Sequence, residues 1–158
     1  MNPTRRSRND VALAKASQRP IEHHPAFEEY LQAIQRLAEE GVPVIQARIA
    51  EHLGKSAPSV YEMLDRLEAS GHIRRFGREI RLTDRGHAIA ESVIRKHRLA
   101  ERLLTDVIGA PAHLVHEEAG RWEHVISDDI EECLMEALGN PQTCPHGHHI
   151  PRSSGLSA

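Results

Sequence analysis

The sequence predicts a mainly α-helical fold in two parts, a small helical unit that carries a β-hairpin and a second unit built only of helices. Hydrophobic residues make up 39% of the 158-residue chain but aromatic residues only 3%, so the core must consist of Leu, Ile, Val and Ala. Such a composition suits packed helices better than a β-sandwich. Apolar residues recur mostly with the 3.6-residue period of a helix, and only the stretch 72–82 alternates as strands do.

Composition also excludes several classes of protein. No apolar run reaches 18 residues, so we expect no membrane span, and the N-terminus lacks the apolar stretch of a secretory signal. The two cysteines, Cys133 and Cys144, do not make a disulfide framework, and a cytoplasmic location is expected. Because the net charge is −3, any surface that binds nucleic acid must be local.

Residues 1–24 form a basic arm that we expect to be disordered. Five cations in it are spread among Asn, Ser, Thr and Pro: Arg5, Arg6, Arg8, Lys15 and Arg19. The arm is either an inert leader or a tether to the DNA backbone.

Three short helices are predicted next. The first begins near Pro25 and ends at residues 41–43, and the second covers about 45–53. The third opens with Ser56 as N-cap and Pro58 in its first turn, and ends at residues 70–71. Two helices joined through a glycine turn, in a three-helix unit, are typical of a helix-turn-helix.

A β-hairpin follows the third helix. Residues 72–76 and 79–82 alternate polar and apolar side chains, with Gly77 and Arg78 at the turn between them. A hairpin in this place is the wing of a winged helix-turn-helix. Five arginines and two acids lie between His72 and Arg85, which is a local excess of positive charge suited to phosphate contacts.

We therefore predict a winged helix-turn-helix DNA-binding domain at 25–88. The candidate contacts to a double-stranded operator lie on the third helix and the wing: Ser56, Pro58, Ser59, Tyr61, Glu62, Arg66, Arg75 and Arg78. Glu62 could accept from cytosine N4, although its carboxylate also repels phosphate. The alternative for so small a unit is a protein-interaction module.

Residues 89–140 are predicted to form an all-helical dimerisation and metal-binding domain. Thr83 caps one long helix over about 84–108, Pro111 opens the next, and Ser127 caps the last. The apolar residues expected to face inward from the last helix are Ile130, Cys133, Leu134, Ala137 and Leu138. DNA readers of this type usually bind as two-fold dimers, so a homodimer is expected.

The helix near residue 120 carries candidate metal ligands. At helical spacing, His116, Glu123 and His124 share one face. His116 and His124 lie about 12 Å apart along the axis, too far for one ion, so two sites are implied. His97 and Glu101 form an i, i+4 pair upstream. The alternative is a solvated acidic face, and the His-Glu-x-x-His motif of zinc proteases is broken at Gly120.

Three segments carry a resemblance to a known family: RKHRLAERLLTDVIG at 95–109, VHEEA at 115–119 and RWEHV at 121–125. The chain resembles the diphtheria toxin repressor family of metal-dependent regulators over about 25–151. The resemblance implies a winged-helix DNA binder with a helical dimerisation domain and divalent iron or manganese as corepressor. Many relatives continue into an SH3-like third domain, which this chain is expected to lack.

Positions carried over from the family give two ligand sets. His97, Glu101 and His116 match the ancillary site, and Glu123 and His124 match the primary, regulatory site. Glu29 falls where iron-type members have methionine and manganese-type members aspartate. Gly120 departs from the family pattern of cysteine or glutamate, and Gln32 replaces a glutamate of the manganese type, so the primary site lacks a side-chain ligand.

The predicted corepressor is Mn²⁺ or Fe²⁺, with Zn²⁺ possible in vitro, because the ligands are carboxylates and imidazoles without sulfur. Residues 141–158 are expected to be a flexible tail whose Cys144, His146, His148 and His149 either bind a metal or form a linker.

Three hypotheses remain at this point. The first is a metal-dependent repressor of metal-homeostasis genes. The second is a metal-independent winged-helix regulator whose primary site has decayed at Gly120. The third is a metalloenzyme or metal-storage module, against which stands the lack of an evident nucleophile or acid/base pair; a non-enzyme is expected.

Overall fold

The computed structural model describes residues 24–153. The predicted basic arm at 1–24 lies outside the described residues except for His24, as do residues 154–158. The elements, in chain order, are α1 Pro25–Glu39, α2 Gln46–Leu53, α3 Ala57–Ala69, β1 Ile73–Phe76, β2 Glu79–Leu82, α4 Asp84–Arg102 with a π-helical continuation Leu103–Ile108, α5 Ala112–Trp122 and α6 Asp128–Ala137.

The winged helix-turn-helix is confirmed. Gly54, at the left-handed φ of 63°, ends α2, and the Ser56 side chain caps α3 by accepting from the Ser59 amide. Strands β1 and β2 pair antiparallel, with Ile73 opposite Leu82. One continuous core joins the three helices, the hairpin and the start of α4: Phe27, Tyr30, Leu31, Ile34, Leu37, Ile49, Val60, Leu64, Leu67, Ile73, Ile80 and Ala90.

The base of the wing and the start of α4 approach each other closely at one point. A Cβ added to Gly86, in the first turn of α4, would lie 2.0 Å from the carbonyl oxygen of His72. That carbonyl also accepts from the Thr83 amide at 3.0 Å. Only glycine allows the helix to approach the hairpin so closely.

The second unit is helical, as expected, and the long helix runs from Asp84 to Ile108 as predicted, with its last six residues, Leu103–Ile108, in π-helical geometry. The predicted inward face of α6 is wrong for Ile130, Cys133 and Ala137, which are exposed. Val107, in the π-helical segment, is 67% exposed. These apolar side chains are therefore not covered within a single chain. The small core of this unit consists of Ala100, Leu104, Val115 and Ala119.

The prediction of a flexible tail from residue 141 is wrong for 141–153. Cys144 and Ile150 are each 1% exposed, and Thr143 and His149 form a β-bridge. Three arginines of α4 hold this segment by donating to its backbone carbonyls: Arg95 to Pro151, Arg98 to His149, and Arg102 to Thr143. The arginines of α4 therefore hold this segment in place. Their helical spacing in the sequence does not show that residues 141–153 are their partners.

Helix α4 is the element that joins the two units. It packs against α1 of the winged helix on one side and against α5 and α6 on the other. The predicted domain boundary at 88/89 therefore falls inside a continuous helix. Within residues 24–153, no helix combines the length and the apolar composition that crossing a membrane requires.

Candidate metal centre and DNA-binding surface

The ancillary ligand set comes together where α4 meets α5. His97 and Glu101 lie one turn apart on α4, with the His97 Nε2 3.1 Å from the Glu101 Oε1. His116 on α5 brings its Nδ1 to 3.2 Å from His97 Nε2 and 3.1 Å from Glu101 Oε1. Ligand bonds of about 2 Å to one ion leave neighbouring donor atoms roughly 3 Å apart, so these three atoms fit a single divalent ion.

The tail adds donors to the same place, which the sequence analysis missed. The Nδ1 of His146 lies 3.5 Å from the Glu101 Oε1. Glu101, Cys144 and His146 bring ligand atoms within 4.8 Å of one another, as His97, Glu101 and His116 do. Glu101 thus belongs to both groups, whereas His149 is engaged through its carbonyl with Arg98. The Cys-x-His spacing in the sequence indicates a possible metal-binding pair. Only the folded tail places Cys144 and His146 next to Glu101.

The primary set lies at the end of α5, facing α1. His124 presents its Nε2 3.1 Å from the Glu123 Oε1, and its Nδ1 lies 2.6 Å from the Glu28 Oε2. Glu29 lines the same cleft, but its carboxylate accepts from Lys55 Nζ at 2.8 Å. The predicted ligand set contains Glu29 but not Glu28, because the two carboxylates are adjacent on one helix and the partner of each depends on packing.

Gly120 lies beside these ligands, and the space next to its Cα is empty of other described side chains. Among residues 24–153, a Cβ at Gly120 would meet no heavy atom within 4 Å outside its own stretch of helix. Gln32, the other departure from the family pattern, donates from Nε2 to the Glu123 Oε2 at 3.1 Å. The chain therefore offers imidazole and carboxylate donors for an ion at this place, together with space that a side chain at Gly120 or water would fill.

Hydrogen bonds between acids and imidazoles set the protonation of both clusters. Burial opposes charge on Glu123, but hydrogen bonds from His124 and His97 outweigh it and lower the Glu123 pKa to about 2. Burial likewise opposes ionisation of Glu101, whose pKa falls to about 2 because His97 and His116 donate to it. The pKa of His124 rises to about 9 through its hydrogen bonds to Glu123 and Glu28.

His97 stands between the two sets. Its burial would lower its pKa, but hydrogen bonds to Glu101 and Glu123 raise it. Without an ion, protons on the imidazoles therefore compensate the buried carboxylates. A divalent cation supplies the same compensation, which is the charge balance expected of a metal centre.

Most of the side chains predicted to contact DNA are exposed to solvent. Ser56, Pro58 and Ser59 are exposed at the start of α3, and Tyr61 is 53% exposed one turn further. Glu62 and Arg78 are exposed as well, the latter at the tip of the wing. Arg66 is also exposed, with its guanidinium 5.2 Å from the centre of the Phe27 ring.

Arg75 differs from the other predicted DNA contacts. Its guanidinium donates to Asp65 at 2.5 Å and to Glu68 at 3.1 Å, and it lies 5.5 Å from the centre of the Tyr61 ring. These contacts engage the Arg75 charge within the protein. Arg75 therefore links β1 to α3 and contacts Tyr61 there. Arg78 is the better candidate for a phosphate contact.

Comparison with protein families gives two adjoining matches. Residues 24–75 match the iron dependent repressor N-terminal DNA binding domain, and residues 83–152 match the iron dependent repressor metal binding and dimerisation domain. Together they take in most of the chain.

Individual relatives agree. The chain is 53% identical over 125 residues to the iron-dependent repressor IdeR of Mycobacterium bovis, covering 78% of this chain and 54% of that protein. It is 48% identical over 126 residues to the diphtheria toxin repressor of Corynebacterium efficiens, with 78% and 54% covered. The chain thus spans about half the length of the curated relatives it matches.

Solved structures show the same fold. The manganese regulator SloR superposes with a TM-score of 0.72 at 37% identity, covering 80% of this chain and 60% of that one. A manganese-dependent transcriptional repressor in complex with manganese gives 0.75 at 33% identity, covering 82% and 60%. A hypothetical protein from Sulfolobus solfataricus is 30% identical with a TM-score of 0.64, and 96% of it is covered by 79% of this chain. The two domains, their order and the placement of the acid and imidazole clusters between them lead to one conclusion: this chain belongs to the iron-dependent repressor family, which includes the diphtheria toxin repressors.

Proposed function

We propose that this chain is a divalent-metal-dependent transcriptional repressor that binds a double-stranded DNA operator as a homodimer in the cytoplasm. The observation that carries the proposal is the position of the donor groups. Glu123 and His124 directly follow α5 in the helical domain, and they face Glu28, Glu29 and Gln32 on α1 of the winged helix. An ion held here would tie the DNA-binding domain to the dimerisation domain.

The donor sets support Mn²⁺ or Fe²⁺ as the corepressor. Imidazole and carboxylate ligands suit both ions, and Zn²⁺ would also bind in vitro. His97, Glu101 and His116 would hold one ion, while Glu123, His124 and Glu29 would hold the other. Relatives named for iron dependence and for manganese dependence both match this chain, so the physiological metal has to be measured.

The effect on DNA binding follows from the placement of the ligands. The ion supplies positive charge that offsets the repulsion between the buried carboxylates. Glu29 and the Glu123–His124 pair then hold α1 at a fixed distance from α5, which fixes the spacing of the two α3 helices in the dimer. DNA selects the same spacing, so metal and DNA strengthen each other's binding reciprocally.

The test is fluorescence anisotropy of a labelled duplex taken from the upstream region of the protein's own gene, with a shuffled duplex as control. Protein is titrated in chelator, then with Mn²⁺, with Fe²⁺ under anaerobic conditions, and with Zn²⁺. We expect tighter binding to the specific duplex only, and only with metal. The order of the metals in this titration ranks them as corepressors.

The space beside Gly120 favours a second candidate, a metal-independent winged-helix regulator whose primary site has decayed. In that case the specific duplex binds equally well in chelator and in metal. The same titration therefore separates the two candidates. A catalytic function is not proposed, because the named relatives are repressors.

A further inference from the structure

Glu28 is a buried carboxylate that the ligand sets above do not include. It lies on α1, and the whole residue is only 7% exposed. Its Oε2 is 2.6 Å from the Nδ1 of His124, and the two side chains are 9% and 19% exposed. A buried carboxylate this close to one ring nitrogen fixes both the position and the orientation of the imidazole.

The two nitrogens of His124 therefore have different roles. Because an ionised carboxylate can only accept a hydrogen bond, the contact assigns the proton to Nδ1, which donates to Glu28 and leaves Nε2 on the other side of the ring. There Nε2 lies 3.1 Å from the Glu123 Oε1. Histidines that bind metals commonly donate their second N–H to a carboxylate, because this fixes the tautomer and makes the ligating nitrogen more basic.

Glu29, the next residue, has different surroundings. Its side chain is 39% exposed, and it forms an ion pair with Lys55 at 2.8 Å. The adjacent carboxylates of α1 are thus divided between two tasks. Glu29 lines the open cleft where an ion would enter, whereas Glu28 lies against His124 on the side away from Nε2.

We propose that Glu28 is a positioning residue of the primary metal site. It holds His124 in the Nδ1–H tautomer, so that Nε2 and the Glu123 Oε1 face the ion together. Because Glu28 belongs to the winged helix and His124 to the helical domain, the same hydrogen bond anchors a ligand of one domain to the other. The inference rests on the proposed function, since it assigns a role toward the metal of that site.

The experiment measures Mn²⁺ affinity of the full chain by calorimetry and by the electron paramagnetic resonance signal of free Mn²⁺. All variants are made in a His116→Ala background, which removes one ancillary ligand and leaves the primary site to dominate. Loss of the second hydrogen-bond partner of a metal-binding histidine costs about 10–100-fold in affinity. We expect Glu28→Ala near the upper end of that range, and Glu28→Gln near the lower end because its amide oxygen still accepts from Nδ1.

Two further measurements separate positioning from a merely structural role. Nitrogen-15 shifts of the His124 ring, measured on the Zn²⁺-loaded protein, report which nitrogen carries the proton. We expect the Nδ1–H form in the parent and in Glu28→Gln, and a mixture of forms in Glu28→Ala. Glu132→Gln, which changes an exposed carboxylate on α6, serves as the matched control and should bind Mn²⁺ as the parent does.

The outcomes are distinguishable. Glu28→Ala and Glu28→Gln that are folded and bind Mn²⁺ as tightly as the parent would overturn the inference alone. If the Ala variant does not fold, the near-isosteric Gln variant decides: Mn²⁺ affinity equal to that of the parent overturns the inference, and a loss of about 10-fold supports it. A parent chain that binds neither Mn²⁺ nor, under anaerobic conditions, Fe²⁺ overturns the proposed function together with the inference.

Discussion

The Nδ1 of His97 lies 2.6 Å from the Oε2 of Glu123, although the two residues belong to different ligand sets. On its other side, His97 Nε2 contacts Glu101. Glu123 in turn contacts His124 through its second oxygen. The two candidate metal sites are therefore joined through one imidazole and one carboxylate, and a change in charge at either site reaches the other within a few ångströms.

Removal of a primary ligand is expected to uncouple metal from DNA. His124→Ala and Glu29→Ala should weaken metal-stimulated DNA binding while the protein remains folded. If the coupling has the usual size of about 1–3 kcal/mol, stimulation falls by roughly 5–150-fold. Anisotropy titrations with and without Mn²⁺ measure it, and circular dichroism checks the fold. Stimulation equal to that of the parent in both variants would count against the primary site.

Stability of the metal-free protein should depend on pH in a defined window. Hydrogen bonds raise the His124 pKa from 6.5 to about 9, so the stabilisation from charged His124 is complete below 6.5 and is lost as the pH rises through 9. The Glu123 pKa is lowered from 4.5 to about 2, so the stabilisation from its carboxylate is complete above 4.5 and is lost as the pH falls through 2.

The metal-free protein is therefore expected to be most stable between pH 4.5 and 6.5, with a Tm that declines toward pH 9. Thermal melts in chelator across this range test it. His124→Ala is the matched variant, and its alkaline decline should be shallower. A Tm that is constant from pH 6 to 9 in the parent would contradict the assigned hydrogen bonds.

A ligand restored at position 120 should strengthen metal binding. Gly120 is helical, and an added Cβ meets no atom of the described part of the chain within 4 Å outside its own helix, so Gly120→Cys and Gly120→Glu can be accommodated. Either side chain would add a donor beside Glu123 and His124. We expect at least about 10-fold tighter binding, of Zn²⁺ for Cys and of Mn²⁺ for Glu, in line with the preferences of sulfur and oxygen donors. Gly120→Ala is the control, and it should leave metal affinity unchanged.

Substitutions at Arg75 and Arg78, two of the arginines of the wing, are expected to have different effects. Arg78→Ala removes an exposed charge at the hairpin turn, so it should weaken binding to all duplexes alike and reduce the salt dependence by about one phosphate contact. Arg75→Ala breaks the contacts with Asp65 and Glu68, which are partly exposed, and should lower stability by about 0.5–1 kcal/mol. Binding at several salt concentrations together with thermal melts separates them; identical salt slopes for Arg78→Ala and the parent would contradict the assignment.

Alanine substitutions at two helical glycines, Gly86 and Gly120, should change the stability of the protein in opposite directions. Gly86→Ala places a Cβ 2.0 Å from the His72 carbonyl oxygen, which is backbone and cannot turn away. Overpacking of this kind costs about 1–3 kcal/mol, and we expect the upper end. Gly120→Ala should instead stabilise the protein by about 0.5–1 kcal/mol through helix propensity. Denaturant melts of both variants provide the comparison, and equal midpoints would refute the contact at Gly86.

The pattern of the winged helix could be read from the sequence because each of its signals is local. Ser56 and Pro58 set the start of α3 through capping and a fixed φ, and alternation over 73–82 set the hairpin. The helical spacing of His97 and Glu101 was equally local. Its assignment to an ancillary metal site came from resemblance, and the packing of His116 against the pair supports it.

The partners of charged groups were decided by the tertiary structure alone. Glu28 and Glu29 are identical in sequence terms, yet α1 turns one toward His124 and the other toward Lys55. Arg75 and Arg78 are equally basic, yet only Arg75 is engaged by acids from α3. Residues 141–153 looked like a linker, but the arginines of α4 draw their carbonyls onto the helix. Local sequence determines which helix or turn forms, since those forces act within a few residues. The partner of a long side chain depends on distances between elements far apart in the chain, and only the assembled fold sets those distances.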